Sequence, residues 1–326
     1  MCKQVFLYSK EGCAIYQFAD FHCDTLLKVS KGLVDFSCSQ EKGHLDLNRL
    51  LATNYVFQCF AAFFEPSLGQ EAALRHTLRL LNIAREKILT LPQVQWVKRA
   101  EDLDGGGDKL LALLSIEGAD FIGSDLYLIE LVHTMGVRLI TLTWNGRNSL
   151  GDGVKVGGGG GLTKLGTKAV NVMQDINIIV DVSHLGERGF WDVASAAEKP
   201  FVASHSNAWA LCQHPRNLKD EQIREISSHG GLIGVNLCPA FIAQSREGQT
   251  LDALVRHISH IAEVGGVDCL CLGADLDGIE ELPIDMVDVK DMGQLPGLLE
   301  DVGFSSIEIQ AVCAANLIRF LRNNLE

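Results

Sequence analysis

Eight short apolar runs, most of them followed by a stretch with helical spacing, constrain this chain more than any other feature. Rich in β-branched and aromatic residues, they occupy positions 15–21, 56–64, 110–116, 137–143, 178–182, 201–203, 232–237 and 269–273. At 47–53, 69–89, 126–135, 163–174, 188–198, 220–229 and 251–264, apolar residues recur near the 3.6-residue helical period. Strands alternating with helices imply parallel pairing, and the runs are nearly continuous, as parallel strands covered on both faces require. Eight such units suffice to close a (β/α)8 barrel of the TIM type; a doubly wound open sheet is the alternative. An amphipathic pattern over 307–325 adds a C-terminal helix. No internal repeat and no Pro- or Ser-rich linker divides the chain, so residues 1–326 read as a single α/β domain. A hydrophobic content of 47% lets it bury a sizeable core.

The charge balance removes whole classes of partner. With 28 basic against 41 acidic residues the net charge is −13, a field that repels phosphate backbones and anionic lipid. Neither nucleic acid nor membrane is expected as a partner, and no stretch approaches the ~20 uncharged apolar residues of a membrane span. The ten cysteines include no CxxC pair and mostly sit inside apolar runs, so they read as reduced, buried thiols. Charges at Lys3, Lys10 and Glu11 leave no signal-peptide core near the start. The expected location is the cytoplasm. The one low-complexity patch, glycines 157–161, lacks the GxxxxGK[ST] pattern of a phosphate loop and reads as a flexible loop at the barrel mouth.

In a barrel of this kind the chemistry gathers at the C-terminal ends of the strands. The first run ends in Phe21-His22-Cys23-Asp24, where the period of two puts His22 and Asp24 on one side. The third ends at Glu117, the fifth at His184, the sixth at His205 and the eighth at Asp275. Carboxylates and imidazoles converging in one funnel repel or stay unpaired unless a cation compensates them. His, Asp and Glu without Cys suit zinc or another divalent transition ion. Three imidazoles with two of the carboxylates make five ligands, more than the three of a mononuclear catalytic zinc and a match for two ions sharing a carboxylate. Arg216, in the loop after the sixth run, is placed to pair with a substrate carboxylate. His44 reads as structural beside Asp46, a candidate N-cap, and His76, His133, His257 and His260 read as surface residues of helices. No GxSxG elbow points to a serine hydrolase.

Taken together, His22-x-Asp24, Ile116-Glu117-Gly118, Asp181-x-x-His184, Ser204-His205-Ser206, His214-Pro215-Arg216-Asn217-Leu218 and Gly273-Ala274-Asp275-Leu276-Asp277-Gly278 resemble the membrane (renal) dipeptidase family of the amidohydrolase superfamily. The resemblance implies two Zn2+ per chain, one on His22 and Asp24, the other on His184 and His205, with Glu117 bridging. It implies Asp275 as the acid–base residue, with Asp277 as the fallback, and Arg216 on the substrate carboxylate. The implied reaction is hydrolysis of dipeptides, L-D as well as L-L, by a zinc-activated hydroxide, without endopeptidase activity. Where family members carry a histidine thought to polarise the scissile carbonyl, this chain has Trp144 followed by Asn145. An indole N–H donates but carries no charge, so Asn145 or the metal is the expected substitute. Hydrolysis of a β-lactam, lactone or N-acyl amino acid on the same site, and a non-enzymatic metal-binding barrel, are the alternatives. A homodimer is left open.

Overall fold

Of the eight apolar runs, seven become strands of one curled parallel sheet. The computed structural model describes residues 7–8, 14–39, 42–65 and 69–325; Cys2, Cys13 and the charges at Lys3, Lys10 and Glu11 lie outside them. A short antiparallel pair comes first, β1 (Leu7–Tyr8) with β2 (Ala14–Ile15). The sheet follows as β3 (Phe18–Asp20), β4 (Tyr55–Phe63), β5 (Val94–Trp96), β6 (Leu110–Glu117), β7 (Val137–Thr141), β8 (Ile179–Asp181), β9 (Ile233–Val235) and β10 (Leu270–Leu272). Its order is β8-β7-β6-β4-β3-β10-β9, all parallel. β5 departs from the sequence reading: three residues too short to register as a run pair with Leu110–Ala112, beside the half of β6 that β7 leaves open.

The run at 201–203 does not form a ladder strand, a second departure. It makes one bridge to each edge, Val202 to Asp181 and Ala203 to Ile233. Val202 N donates to Val180 O (2.9 Å) and Ala203 N to Leu232 O (2.9 Å), which joins β8 to β9 and closes the ring. Three residues cross between the edges before the chain turns off at Ser204. Glycine makes this closure possible: a Cβ at Gly234 or Gly273 would lie 2.0 or 1.9 Å from the Ser204 carbonyl oxygen. The architecture matches a (β/α)8 barrel with helices outside.

Alternate residues of the strands fill the barrel. Ala19, Phe57, Cys59, Leu111, Leu113, Leu139 and Ile179 form one buried cluster, against which the C-terminal segment packs Leu317, Phe320 and Leu321. Their strand neighbours, such as Phe60, Ala112, Leu114 and Ile140, belong to a second cluster shared with the helices. The expected terminal helix is one run interrupted by a π-turn at Ala311–Ala315, between Ser306–Gln310 and Asn316–Asn324. Asp46 caps its helix as anticipated, accepting from Arg49 N, and Thr163 does the same for Gly166 N. His257 overturns its surface reading. It is buried, with Nδ1 accepting from Ala208 N (3.1 Å) and Nε2 2.9 Å from Ile242 O, because its helix packs that face on the barrel. Among the described residues eight cysteines are unpaired, six of them buried, and no helix is long and apolar enough to cross a membrane.

Candidate active site

The strand ends that carry polar residues meet at one mouth of the ring. His22, just past β3, has its Nε2 3.6 Å from Asp24 Oδ2, 3.6 Å from Glu117 Oε2 and 3.9 Å from Asp275 Oδ1. Glu117, the last residue of β6, turns its other oxygen the opposite way. There Oε1 lies 2.8 Å from His184 Nε2 and 3.5 Å from His205 Nε2, two ring nitrogens themselves 2.9 Å apart. One carboxylate thus stands between two donor groups, and all five residues are buried.

The protein leaves these atoms unsatisfied. Both ring nitrogens of His22 and Asp24 Oδ1 are buried without a hydrogen-bond partner. Asn145 Oδ1 is 2.9 Å from His184 Nδ1, and Ser204 Oγ is 2.7 Å from His205 Nδ1. With protons held on those Nδ1 atoms, both Nε2 atoms turn lone pairs toward each other and toward Glu117, an arrangement that calls for a cation. Burial and the nearby Arg216 charge push His184 down to about 4, and burial with His22 and Arg216 pushes His205 well below its ordinary value; both rings are neutral near pH 7. Burial also depresses His22, but the Asp24 and Glu117 carboxylates override it and hold its pKa well above 6.5. A proton on His22 stands in for positive charge the site otherwise lacks. Burial works to raise Glu117, and the histidines around it hold it well below 4.5 instead. Three imidazoles and two carboxylates without thiolate fit zinc or a similar divalent ion.

Asp275 faces the same space. Its Oδ2 accepts from Asn236 Nδ2 (3.1 Å), while burial and then the Asp24 and Glu117 charges, opposed by His22, raise it to about 7. A Cβ at Gly278 would sit 2.2 Å from Asp24 Oδ2 and 2.3 Å from Asp275 Oδ1, so glycine leaves both carboxylates their places. His184 and Asp275 hold φ at 66° and 61°, a left-handed conformation costing a non-glycine residue about 1–2 kcal/mol. Asp277 is engaged elsewhere: its carboxylate accepts from Thr25 Oγ1 (2.8 Å), Lys28 Nζ (2.9 Å) and His44 N (2.8 Å). His44 in turn accepts from Asp277 N through Nδ1 (3.0 Å), the structural role expected of it.

Two cavities share His184. Asp24, Glu117, His184 and Asp275 line one of about 430 Å3, walled by Phe63, Trp144 and Phe241. The adjoining one, of about 790 Å3, is lined by Arg216, Ser206, Trp209 and Gly158, Gly159 and Gly161 of the glycine patch. Arg216 is buried; its Nη2 donates to His205 O (3.0 Å) and Nη1 to Ser206 Oγ (3.4 Å), while Nε has no acceptor. Asn145 spends its amide oxygen on His184. The sequence reading overlooked Asn236, which lies inside the run at 232–237 but directly follows the last residue of β9. Phe63 and Phe241 carry no polar signal.

Residues 13–325 match the family model described as membrane dipeptidase, peptidase family M19. The chain is 37% identical over 226 residues to an uncharacterized protein in the pqqA 5′ region of Klebsiella pneumoniae, covering 66% of this chain and 83% of that one. An uncharacterized dipeptidase of Schizosaccharomyces pombe is 28% identical, over 95% of this chain and 81% of the relative. The crystal structure of dipeptidase AC, a metallopeptidase, superposes with a TM-score of 0.88 at 25% identity, covering 95% of this chain and 99% of the other.

Proposed function

From the premise that the chain belongs to the membrane dipeptidase family, peptidase family M19, we propose that it hydrolyses dipeptides with a free C-terminal carboxylate, L-D as well as L-L, using two zinc ions. One observation carries the reading: Glu117 stands between His22 with Asp24 and His184 with His205, in a buried cluster where both His22 ring nitrogens and Asp24 Oδ1 have no hydrogen-bond partner. In this reading His22 and Asp24 would hold one ion and His184 and His205 the other, with the Glu117 carboxylate shared between them. Zinc when bound supplies Lewis acidity toward a carbonyl oxygen and toward the attacking water near neutral pH.

The chain's own residues do the rest. Asp275 takes the proton of the attacking water and passes it to the leaving amine nitrogen, a task for a carboxyl that lines the cavity with Oδ1 3.9 Å from His22 Nε2. Asn236 holds the far oxygen of that carboxylate, so Oδ1 faces the reacting atoms. Arg216 pairs with the substrate α-carboxylate, for which its anchored guanidinium and unpaired Nε are suited. With the substrate carboxylate held at Arg216 and the scissile bond near Asp275, the reading restricts cleavage to dipeptides. The larger cavity, which Arg216 itself lines, is where this reading places the second residue in either configuration. Trp144 walls the first residue together with Phe63, their rings 5.4 Å apart.

The test combines metal analysis of the purified, zinc-loaded protein with hydrolysis of L-L, L-D, C-terminally amidated and tripeptide substrates. Two ions per chain and cleavage restricted to free dipeptides are expected. Full activity with at most one ion per chain would sink the binuclear reading, and no cleavage of any dipeptide would sink the substrate class.

A further inference from the structure

Beneath the site lies Asp181, a fully buried aspartate outside both cavities. Its Oδ1 accepts from Ser183 N (2.9 Å) and Ser204 N (2.9 Å), the residues immediately before His184 and His205. Its Oδ2 accepts from Thr141 Oγ1 (2.6 Å) and Ser204 Oγ (2.6 Å). Two backbone N–H groups and two hydroxyls face this group, and toward a carboxylate all four donate. The hydroxyl of Ser204 has one proton. Given to Asp181, it leaves the oxygen, 2.7 Å from His205 Nδ1, able only to accept from that nitrogen. The ring proton is then on Nδ1, and the Nε2 lone pair faces Glu117 and His184.

We propose that Asp181 and Ser204 form a relay of positioning residues that holds His205 in its Nδ1–H tautomer and so makes Nε2 a metal ligand. Asn145 Oδ1 performs the same task for His184 as a single neutral acceptor. The relay uses a charge because the Ser204 hydroxyl, unlike an amide oxygen, can turn its proton either way. This inference rests on the reading of His205 as a ligand, and the experiment separates the two.

The full-length chain, stripped of metal with a chelator, is titrated with Zn2+, and its histidine ring nitrogens are observed by 15N NMR. In Asp181→Asn the amide oxygen keeps the two backbone N–H groups while the amide nitrogen donates to Ser204. The hydroxyl proton then turns toward His205 and drives the ring proton to Nε2. Zinc affinity at the weakened position falls about 10–100-fold, the usual effect of losing a group that orients a ligand. Ser204→Ala gives a similar loss and covers the case in which Asp181→Asn fails to fold. Thr141→Val removes the other hydroxyl from the same oxygen without touching His205, and it keeps wild-type affinity. Nε2–H on His205 in the metal-free wild type, unchanged zinc binding in Ser204→Ala, or an equal loss in Thr141→Val each overturns the relay. Full zinc binding in His205→Ala overturns the ligand reading itself.

Discussion

Replacing Asp275 with asparagine separates proton transfer from everything else that side chain does. The two side chains are nearly identical in shape, and asparagine tolerates the φ of 61° at this position. The bond from Asn236 Nδ2, 3.1 Å to Oδ2, survives with the amide oxygen in that place; losing it altogether would cost only about 0.5–1.5 kcal/mol. The substitution also removes one of three carboxylates that crowd His22, relieving repulsion with Asp24. Fold and metals therefore persist, while an amide can neither take up nor release the proton. Acid–base catalysis contributes about 10²–10⁴-fold, so kcat should fall by that factor, or roughly 3–5.5 kcal/mol of barrier. The assay is kcat on a dipeptide at saturating substrate, with zinc content and thermal melting measured on the same sample. A metal-replete variant that keeps more than about a tenth of wild-type kcat refutes the assignment, since that effect is too small for a general acid–base group. An inactive variant that has also lost zinc implicates coordination instead.

Arg216→Met should lower kcat/KM for dipeptides by about 2–5 kcal/mol and hardly affect amidated dipeptides, already poor substrates; equal losses on both would mark Arg216 as structural. Gly278→Ala drives a methyl group to 2.2 Å from Asp24 Oδ2 and 2.3 Å from Asp275 Oδ1, so zinc affinity should drop about tenfold or more, and unchanged affinity would show that the carboxylates move freely. In the chelated protein Asp24 keeps its proton up to about 6 and Asp275 up to about 7, against 3.8 when unfolded. The folded state then binds more of these protons, so their contribution to stability falls as pH rises from about 4 through about 7. Zinc expels those protons, and the zinc-induced rise in Tm should grow from about pH 5 to about pH 7.5; a rise independent of pH contradicts this account.

Much of the site was legible because strand ends in a parallel barrel are local features. A polar residue closing an apolar run shows in the chain itself, as His22, Glu117, His184, His205 and Asp275 do. Choosing between Asp275 and Asp277 was not local. Both hold positive φ and stand two residues apart, yet the partners that claim Asp277, namely Thr25, Lys28 and His44, lie 233–252 positions away. Asn145 is similar: its sequence place suggested a contact with substrate, and a histidine 39 residues on takes its oxygen.

The sequence by itself determined the alternation of strand and helix, the parallel sheet and the residues delivered to its C-terminal edge, because these follow from short-range periodicity and from where apolar runs stop. Tertiary structure decided how the ring closes and which lone pairs face one another. The three residues at 201–203 join β8 to β9 only because Gly234 and Gly273 admit the Ser204 carbonyl so closely. His257 is buried because its helix packs that face on the barrel, where Ala208 N and Ile242 O meet its two ring nitrogens. Hydrogen-bond partnership depends on distances of a few tenths of an ångström between segments far apart in the chain, and no pattern of neighbours along it carries that information.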